Sequence, residues 1–151
     1  MSAKTVLFRG SNAPLSNLFV VKENLIYKGV IFNTTEQIYQ WEKCLRHSEL
    51  RLAEIIRNEN NPYKQMRIGQ SFRGNIEWQN SKKDLMREIL KIKFTRSQDY
   101  REALRASRGK AIVEDTCNNF WGRGKDGRGL NHLGVLHCEI RAKSKICFPV
   151  S

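Results

Sequence analysis

The chain changes its pattern at residues 34–43, which read TTEQIYQWEK. Before this stretch, apolar residues come in short runs separated by turn residues, whereas within it they recur at the spacing of a helix. Thr34 followed by Gln37 three positions later is typical of a capped helix start, so we predict a helix from about residue 35 to 47. One face of this helix is apolar, and a polar stripe runs along the opposite face: Glu36, Gln40, Lys43 and His47.

The remaining periodicity predicts a mainly α fold with a small antiparallel β element. Short strands are expected at residues 6–8, 18–21, 25–27, 30–32 and 112–113. Further helices are expected after Ser48, after Asn61, over about 77–94, after Ser97 and from Asn131 to about Lys143. Because the chain has 151 residues and no internal repeat or proline-rich linker, we expect residues 1–151 to form one domain.

The composition places the chain among folded proteins. Hydrophobic residues make up 40% of the chain and charged residues 28%, which excludes a disordered chain. No apolar stretch approaches the roughly 18 residues of a membrane span or forms a signal core, so we expect a cytoplasmic protein without a membrane partner. The cysteines lack the spacing of a metal site, so free thiols and no bound metal are expected: Cys44, Cys117, Cys138 and Cys147.

The formal net charge is +12. Such an excess favours anionic partners, among which nucleotides, small phosphates and nucleic acid remain open. A cationic surface that serves only to keep the protein in solution explains the charge equally well.

The second informative stretch is the loop WGRGKDGRG at residues 121–129. Its glycines permit positive φ angles, so we predict that successive backbone N–H groups form a concave site for phosphate. Arg123, Lys125 and Arg128 would add charge. The dinucleotide-binding interpretation is rejected because no helix follows the third glycine. A flexible surface loop is the alternative.

Several residues have both a structural and a functional interpretation. Glu36 in a first helical turn is favoured by the helix dipole whatever its role, and its stripe equally fits a solvated face. Trp78 fits a core or a stacking platform for a heterocycle. Asn131 fits a helix cap or a contact to a ribose hydroxyl. Glu114 or Asp115 fits a strand end or the second carboxyl group of a glycosidic-bond-cleaving site.

Short motifs follow one another between about Phe8 and Arg141: LSNLF at 15–19, EQIYQ at 36–40 with Lys43, Trp78, Met86 with Lys93-Phe94, VE at 113–114, WGRG at 121–124 and NHLG at 131–134. In this order and spacing they resemble the NADAR superfamily, also called YbiA-like N-glycosidases. The resemblance implies a compact, mostly helical fold with a small β part. It also implies hydrolysis of an N-glycosidic bond, either in phosphorylated ribosylaminopyrimidine intermediates of riboflavin synthesis or in ADP-ribosylated guanine.

The resemblance implies a role for individual residues. Glu36 would be the principal catalytic carboxylate, and Trp78 and Trp121 would line the pocket. The polar wall would be completed by Asn17, Lys43, Glu114 and Asn131. Three positions depart from the family pattern: Gln37 stands where histidine is usual, Asn118 where many members carry aspartate, and Arg123 where relatives have a small or apolar residue.

We therefore expect an enzyme that hydrolyses a ribose C1′–N bond without a metal or another cofactor. Glu36, Lys43 and Glu114 are the predicted catalytic residues. The predicted substrate-binding residues are Asn17, Trp78, Trp121, Gly122, Arg123, Gly124 and Asn131. The alternative is a non-catalytic module that binds ADP-ribose or nucleic acid.

Overall fold

A computed structural model describes residues 4–144. The strands of this part are β1 (Thr5–Phe8), β2 (Leu25–Tyr27), β3 (Val30–Phe32) and β4 (Ala111–Glu114). Its helices are α1 (Thr35–Arg46), α2 (Leu50–Arg57), α3 (Pro62–Gly69), α4 (Ile76–Arg96), α5 (Gln98–Ala106) and α6 (His132–Lys143). Six helices with two small sheets confirm the predicted mainly α fold.

The described residues divide into two compact units, and residues 17–97 form one of them. Helix α1 is its centre, because α2, α3, α4 and β3 all pack against it. Every residue from Thr35 to Cys44 is consequently buried. The polar stripe of α1 is therefore not a solvated face, and its side chains must find partners inside the protein.

Strands β2 and β3 form the predicted antiparallel hairpin, in which Leu25 pairs with Phe32. The two turn residues, Lys28 and Gly29, both have positive φ angles of 50° and 75°. Two such residues form the type I′ turn that matches the twist of a two-residue hairpin. The glycine at position 29 was the sequence signal for this turn.

Of the described residues, 4–16 and 98–144 form the other unit. Here β1 lies parallel to β4, with Thr5 opposite Ala111 and Phe8 opposite Glu114. Helix α6 packs on β4 and on α5. This parallel pair accompanies the antiparallel hairpin and was not foreseen, because its strands are about a hundred residues apart in the chain.

Two local predictions were wrong. Residues 18–21 do not form a strand: residues 18 and 19 lie in a turn and a bend, and residues 20 and 21 have no regular structure. Val21 donates one backbone hydrogen bond to the carbonyl of Asn33, but no ladder follows. Ser48 does not cap α2, since it adopts a left-handed φ of 56° and the residue preceding the helix is Glu49.

The cysteines of the described part are free thiols at Cys44, Cys117 and Cys138, while the prediction for Cys147 lies outside the described residues. Burial raises the pKa of the Cys44 thiol to about 11. Within residues 4–144, no helix is long and apolar enough to cross a membrane.

Candidate active site

Glu36 is buried near the start of α1, with 9% of its surface exposed. Its carboxylate oxygen Oε2 accepts a hydrogen bond of 2.7 Å from the amide Nε2 of Gln40, one helical turn later. A buried carboxylate needs such donors, because desolvation otherwise disfavours its charged form. The structure thus keeps the predicted catalytic acid out of bulk solvent and in a defined orientation.

Asn17, a predicted binding residue, holds the first turn of α1. Its carbonyl oxygen accepts the backbone N–H of Glu36 at 3.1 Å, and its side-chain Oδ1 accepts the hydroxyl of Thr35 at 2.8 Å. The first N–H groups of a helix have no partner within the helix, so an external acceptor stabilises this end. Asn17 and Glu36 are therefore neighbours, as the predicted site requires.

Lys43 is also buried on α1, and it ties this helix to the end of α3. Its ammonium donates hydrogen bonds of 2.9 Å to the carbonyl of Gly69 and 2.5 Å to that of Phe72. It also lies 4.4 Å from the centre of the Phe72 ring, a favourable cation–π distance. Burial lowers the pKa of Lys43, and the nearby negative charge of Glu36 acts in the opposite direction.

Trp78 on α4 is 3% exposed and is surrounded by side chains of α1. Its ring centre lies 5.1 Å from that of Tyr39 and 6.1 Å from that of His47. Arg46 lies over the same ring at 5.6 Å. These contacts give Trp78 a clear place in the core, and its stacking on a substrate base stays a prediction.

His47 ends the polar stripe with a defined tautomer. Its Nε2 accepts the backbone N–H of Asn75 at 3.0 Å, so this nitrogen carries no proton. Its Nδ1 lies 2.6 Å from the carbonyl oxygen of Lys43 and therefore carries the donated proton. The neutral imidazole joins α1 to the start of α4.

Gln37 stands where the family pattern has histidine, and the structure gives it a structural role. Its Oε1 accepts the N–H of Asn33 at 2.8 Å. Its Nε2 lies within hydrogen-bond distance of three carbonyls at the end of α2, at 2.9, 3.2 and 3.0 Å: Ile56, Arg57 and Glu59. The predicted cap is confirmed as well, since the hydroxyl of Thr34 accepts the N–H of Gln37 at 2.9 Å.

A second carboxylate on α1, Glu42, was missed by the sequence analysis as an organising residue. It accepts hydrogen bonds from Tyr27 at 2.8 Å, Lys28 at 2.9 Å and Arg46 at 2.8 Å. Burial alone would raise the pKa of Glu42, but the donors outweigh it and lower that pKa. Glu42 therefore ties the hairpin to α1.

An open groove of about 810 Å³ also lies in the unit of residues 17–97. It runs between the hairpin and α4, with Ile26, Leu85 and Ile92 among its lining residues. Neither Glu36 nor Lys43 lines it. The groove is therefore separate from the predicted catalytic residues of α1.

In the other unit, Glu114 ends β4 beside the glycine-rich loop. Its Oε2 accepts the hydroxyl of Thr116 at 2.9 Å, and its backbone carbonyl accepts the N–H of Arg123 at 2.9 Å. Burial raises the pKa of the Glu114 carboxyl, while the bond from Thr116 acts against that rise. A raised pKa favours the protonated form of a carboxyl group, which is the form that can donate a proton.

The predicted amide site for phosphate in the glycine-rich loop is corrected by the structure. The N–H groups of Gly122, Arg123, Gly124, Gly127 and Gly129 already donate to carbonyls of the same loop or its flanks, at 2.7–3.3 Å. Amides that are used internally cannot form a concave anion site at the same time. The loop is ordered by its own hydrogen bonds, and glycines in it allow neighbouring segments to pack closely against the backbone.

Gly122 and Gly124 illustrate this close packing. A Cβ at Gly122 would lie 2.5 Å from the Thr116 hydroxyl and 2.8 Å from Glu114 Oε2. One at Gly124, whose φ is +75°, would lie 2.2 Å from Asn119 Oδ1. In the same loop Arg123 forms a half-exposed ion pair of 3.6 Å with Asp115, so its charge is partly offset.

Trp121 is half-buried at the head of the loop, with its ring edge-on to Phe120 at 4.7 Å between centres. Asn118 sets its backbone: Oδ1 accepts the N–H groups of Phe120 at 2.9 Å and of Trp121 at 2.8 Å. An aspartate carboxylate accepts in the same way. The departure at position 118 thus preserves the turn that places the tryptophan.

Asn131 precedes α6 in a left-handed conformation, with φ 51°, and its side chain does not cap the helix. Its side-chain amide instead forms hydrogen bonds with β4 at two positions: Oδ1 accepts the Glu114 N–H at 3.0 Å, and Nδ2 donates to the Ile112 carbonyl at 2.9 Å. Asn131 therefore stands at the predicted N-cap position, but its side chain does not make the predicted capping bond. Asn131 fixes the strand end that carries Glu114.

The predicted residues form one group in each unit. Asn17, Glu36 and Lys43 share the first group on and around α1, and Glu114, Gly122 and Asn131 share the second through direct contacts. Gln37, Gln40 and Glu42 were missed as partners of the first group, although the polar stripe pointed to Gln40. The first group contains the buried carboxyl group of Glu36, and the second contains the half-buried carboxyl group of Glu114.

Comparison with known proteins places this arrangement in a family. The model of the NADAR domain matches residues 7–144. The N-glycosidase YbiA of Escherichia coli K12 is 32% identical over 121 residues, covering 78% of this chain and 74% of that protein. The riboflavin biosynthesis protein PYRR of Zea mays is 27% identical over 128 residues, covering 78% of this chain but 20% of that protein. The NMR structure of E. coli YbiA matches with a TM-score of 0.76 and 28% identity, covering 97% of this chain and 88% of that one.

Proposed function

Because this chain belongs to the NADAR domain family and is a hydrolase acting on N-glycosyl compounds, we propose that it cleaves the C1′–N bond of a phosphorylated riboside. The observation that carries the proposal is the buried carboxylate of Glu36, held by Gln40 at 2.7 Å within the family's motif. A carboxylate placed in this way suits a reaction in which positive charge develops on a sugar.

In the proposed reaction the bond between ribose C1′ and the base nitrogen breaks, and its electron pair leaves with the nitrogen. The sugar passes through an oxocarbenium-like transition state, which the negative charge of Glu36 stabilises. A water molecule then bonds to C1′ while Glu36 accepts one of its protons. The base nitrogen gains a proton in exchange, so the products are a free base and a sugar with a C1′ hydroxyl.

We assign that second proton transfer to Glu114. Its raised pKa is appropriate for a group that donates a proton to a leaving nitrogen. Lys43 would place positive charge beside the substrate's anionic end. The remaining proposed contacts to substrate come from Asn17, Trp78, Trp121, Arg123 and Asn131, while Gly122 and Gly124 would shape the loop that carries Trp121 and Arg123.

Two substrate classes fit this chemistry: a ribosylaminopyrimidine phosphate and an ADP-ribosylated guanine nucleoside. The name of the maize relative, a riboflavin biosynthesis protein, favours the first class. The net charge of +12 suits either, since both are anionic. We propose the ribosylaminopyrimidine phosphate as the first candidate and residues 1–151 as one catalytic NADAR domain.

The test is a mass-spectrometric assay of both substrate classes in water enriched in ¹⁸O. The proposal predicts loss of substrate, release of unlabelled base and one ¹⁸O atom on the sugar product. An ADP-ribosylated guanine within an oligonucleotide, run beside the free nucleoside, distinguishes a small-molecule from a nucleic-acid-linked substrate. Binding of these compounds without consumption would contradict the proposed hydrolysis and support the non-catalytic alternative.

A further inference from the structure

Gln40 is in direct contact with the proposed catalytic carboxylate of Glu36. It is 3% exposed, and its Nε2 donates to Glu36 Oε2 at 2.7 Å. The two residues are one helical turn apart on α1, so their side chains lie side by side. The contact between Gln40 and Glu36 therefore follows from their spacing on the helix.

The orientation of the Gln40 amide follows from its contact with the carboxylate of Glu36. If the amide were turned over, its oxygen would face the carboxylate oxygen of Glu36 and two acceptors would repel each other. In the observed orientation the Gln40 Oε1 is buried and, among the described residues, accepts no hydrogen bond. A buried acceptor without a partner is costly, so the contact to Glu36 outweighs this cost.

Gly69 at the end of α3 provides the space for that oxygen. A Cβ at position 69 would lie 2.0 Å from Gln40 Oε1 and 2.3 Å from its amide carbon. The carbonyl of the same glycine accepts the ammonium of Lys43 at 2.9 Å. One glycine thus supports two members of the polar stripe.

We propose that Gln40 is a positioning residue for the reaction, which holds the Glu36 carboxylate in one rotamer and in its charged form, and that Gly69 is the residue that permits this. The inference rests on the proposed function, in which Glu36 must be charged to stabilise the sugar cation. Gln40 itself touches the carboxylate and acts through it.

The kinetic test compares Gln40→Met with wild-type protein on the ribosylaminopyrimidine phosphate and the ADP-ribosylated guanosine. Methionine keeps the length of the side chain but cannot donate a hydrogen bond. Loss of one bond to a charged group predicts a fall in kcat of about 10- to 100-fold, with KM changed by less than about threefold. Gln40→Glu should lower kcat at least as far, since a second negative charge would face Glu36.

Gln65→Met is the matched control, because Gln65 is also a fully buried glutamine but bonds to Thr34, Asn33 and Glu59 instead of Glu36. We expect this control to lower thermal stability while retaining most of the kcat of the folded protein. An equal fall of kcat in both variants would show that Gln40 acts only through stability and would overturn the proposal.

The role of Gly69 is tested by a double-mutant cycle with Gly69→Ala and Gln40→Ala. In wild-type background the new Cβ displaces the Gln40 amide, so kcat should fall as in Gln40→Met. In the Gln40→Ala background the space is already empty, so Gly69→Ala should change kcat by less than about twofold. Additive effects would contradict the coupling of the two residues.

A measurement without substrate separates this inference from the proposed function. The ¹³C resonance of the Glu36 carboxyl, assigned by its loss in Glu36→Gln, can be followed against pH in the free protein. Removing the donor in Gln40→Met should move this titration to a higher pH, while Lys43, whose charge interacts with Glu36, and Lys82 of α4, whose charge interacts with Lys43, stay in place. An unchanged titration overturns the inference even if turnover is found, and a shifted one supports it even if neither substrate is consumed.

Discussion

At the scale of single residues, α1 carries two buried carboxylates with different surroundings. Glu42 accepts hydrogen bonds from Tyr27, Lys28 and Arg46, so its charge is used to join the hairpin to the helix. Glu36 instead accepts a hydrogen bond from the neutral amide of Gln40, and the ammonium of Lys43 lies near it. The charge of Glu42 therefore joins two elements of the fold, whereas the carboxylate of Glu36 is the one that we propose for chemistry.

The first prediction concerns the pH dependence of Glu42. The pKa of Glu42 is lower in the folded protein than its ordinary value of 4.5. The charged carboxylate therefore contributes fully to the free energy of unfolding above pH ~4.5, and this contribution is lost as the pH falls through the lower pKa of the folded protein. We expect Glu42→Gln to lower the free energy of unfolding by about 1–3 kcal/mol at pH 7. Urea unfolding of both proteins at several pH values should show the difference shrinking below pH ~4.5.

The second prediction concerns Gln37, whose amide satisfies the carbonyls at the end of α2 and the N–H of Asn33. Gln37→Ala removes all of these hydrogen bonds from a buried position of α1, so we expect the free energy of unfolding to fall by about 1–3 kcal/mol. Gln70→Ala, at an exposed glutamine, should change it by less than ~0.5 kcal/mol. Equal effects in chemical denaturation would refute the structural role given to Gln37.

At the scale of elements, α6 approaches β4 at a glycine. A Cβ at Gly134 would lie 2.0 Å from the backbone carbonyl oxygen of Ile112, and backbone cannot move aside as a flexible side chain can. The third prediction is that Gly134→Ala lowers the free energy of unfolding by about 2–4 kcal/mol. Val135→Ala, at the next and 43% exposed position, should cost less than ~1 kcal/mol; a similar small cost at Gly134 would contradict this packing.

The loop before α6 is held together by hydrogen bonds from its own backbone N–H groups. Asn118 accepts two of these at the turn that leads to Trp121. The fourth prediction is that Asn118→Ala lowers the free energy of unfolding by about 1 kcal/mol, while Asn118→Asp changes it by less than ~0.5 kcal/mol because the carboxylate accepts the same bonds. Thermal denaturation decides this, and a loss with aspartate equal to that with alanine would contradict the assignment.

These elements also show which features of the fold can be predicted from neighbouring residues in the sequence. The cap at Thr34, the glycine turn at 28–29 and the long helix α4 were predictable, because each depends on neighbours a few positions away. The three carbonyls bound by Gln37 lie 19–22 residues later in the chain, beyond the reach of such rules. In the glycine-rich loop, the sequence predicted the glycines' freedom but not that the loop would use its own amides.

At the scale of the whole molecule, helical periodicity could not reveal that the polar stripe of α1 is buried. A single helix shows two faces, and only the packing of α2, α3 and α4 around it decides which face meets solvent. The parallel pairing of β1 with β4 likewise depends on contacts across about a hundred residues. The family was predicted from the order and spacing of the motifs along the chain and not from periodicity, and the match of the NADAR domain over residues 7–144 confirms it.

The fifth prediction tests the central claim, that Glu36 is the catalytic carboxylate. Glu36→Gln keeps the shape of the side chain and removes its charge, so kcat on the substrate found by mass spectrometry should fall at least about 100-fold. Glu42→Gln, the matched change at a buried carboxylate of the same helix, should keep kcat within about threefold for folded protein. Glu36→Gln turning over at nearly the wild-type rate would contradict the account.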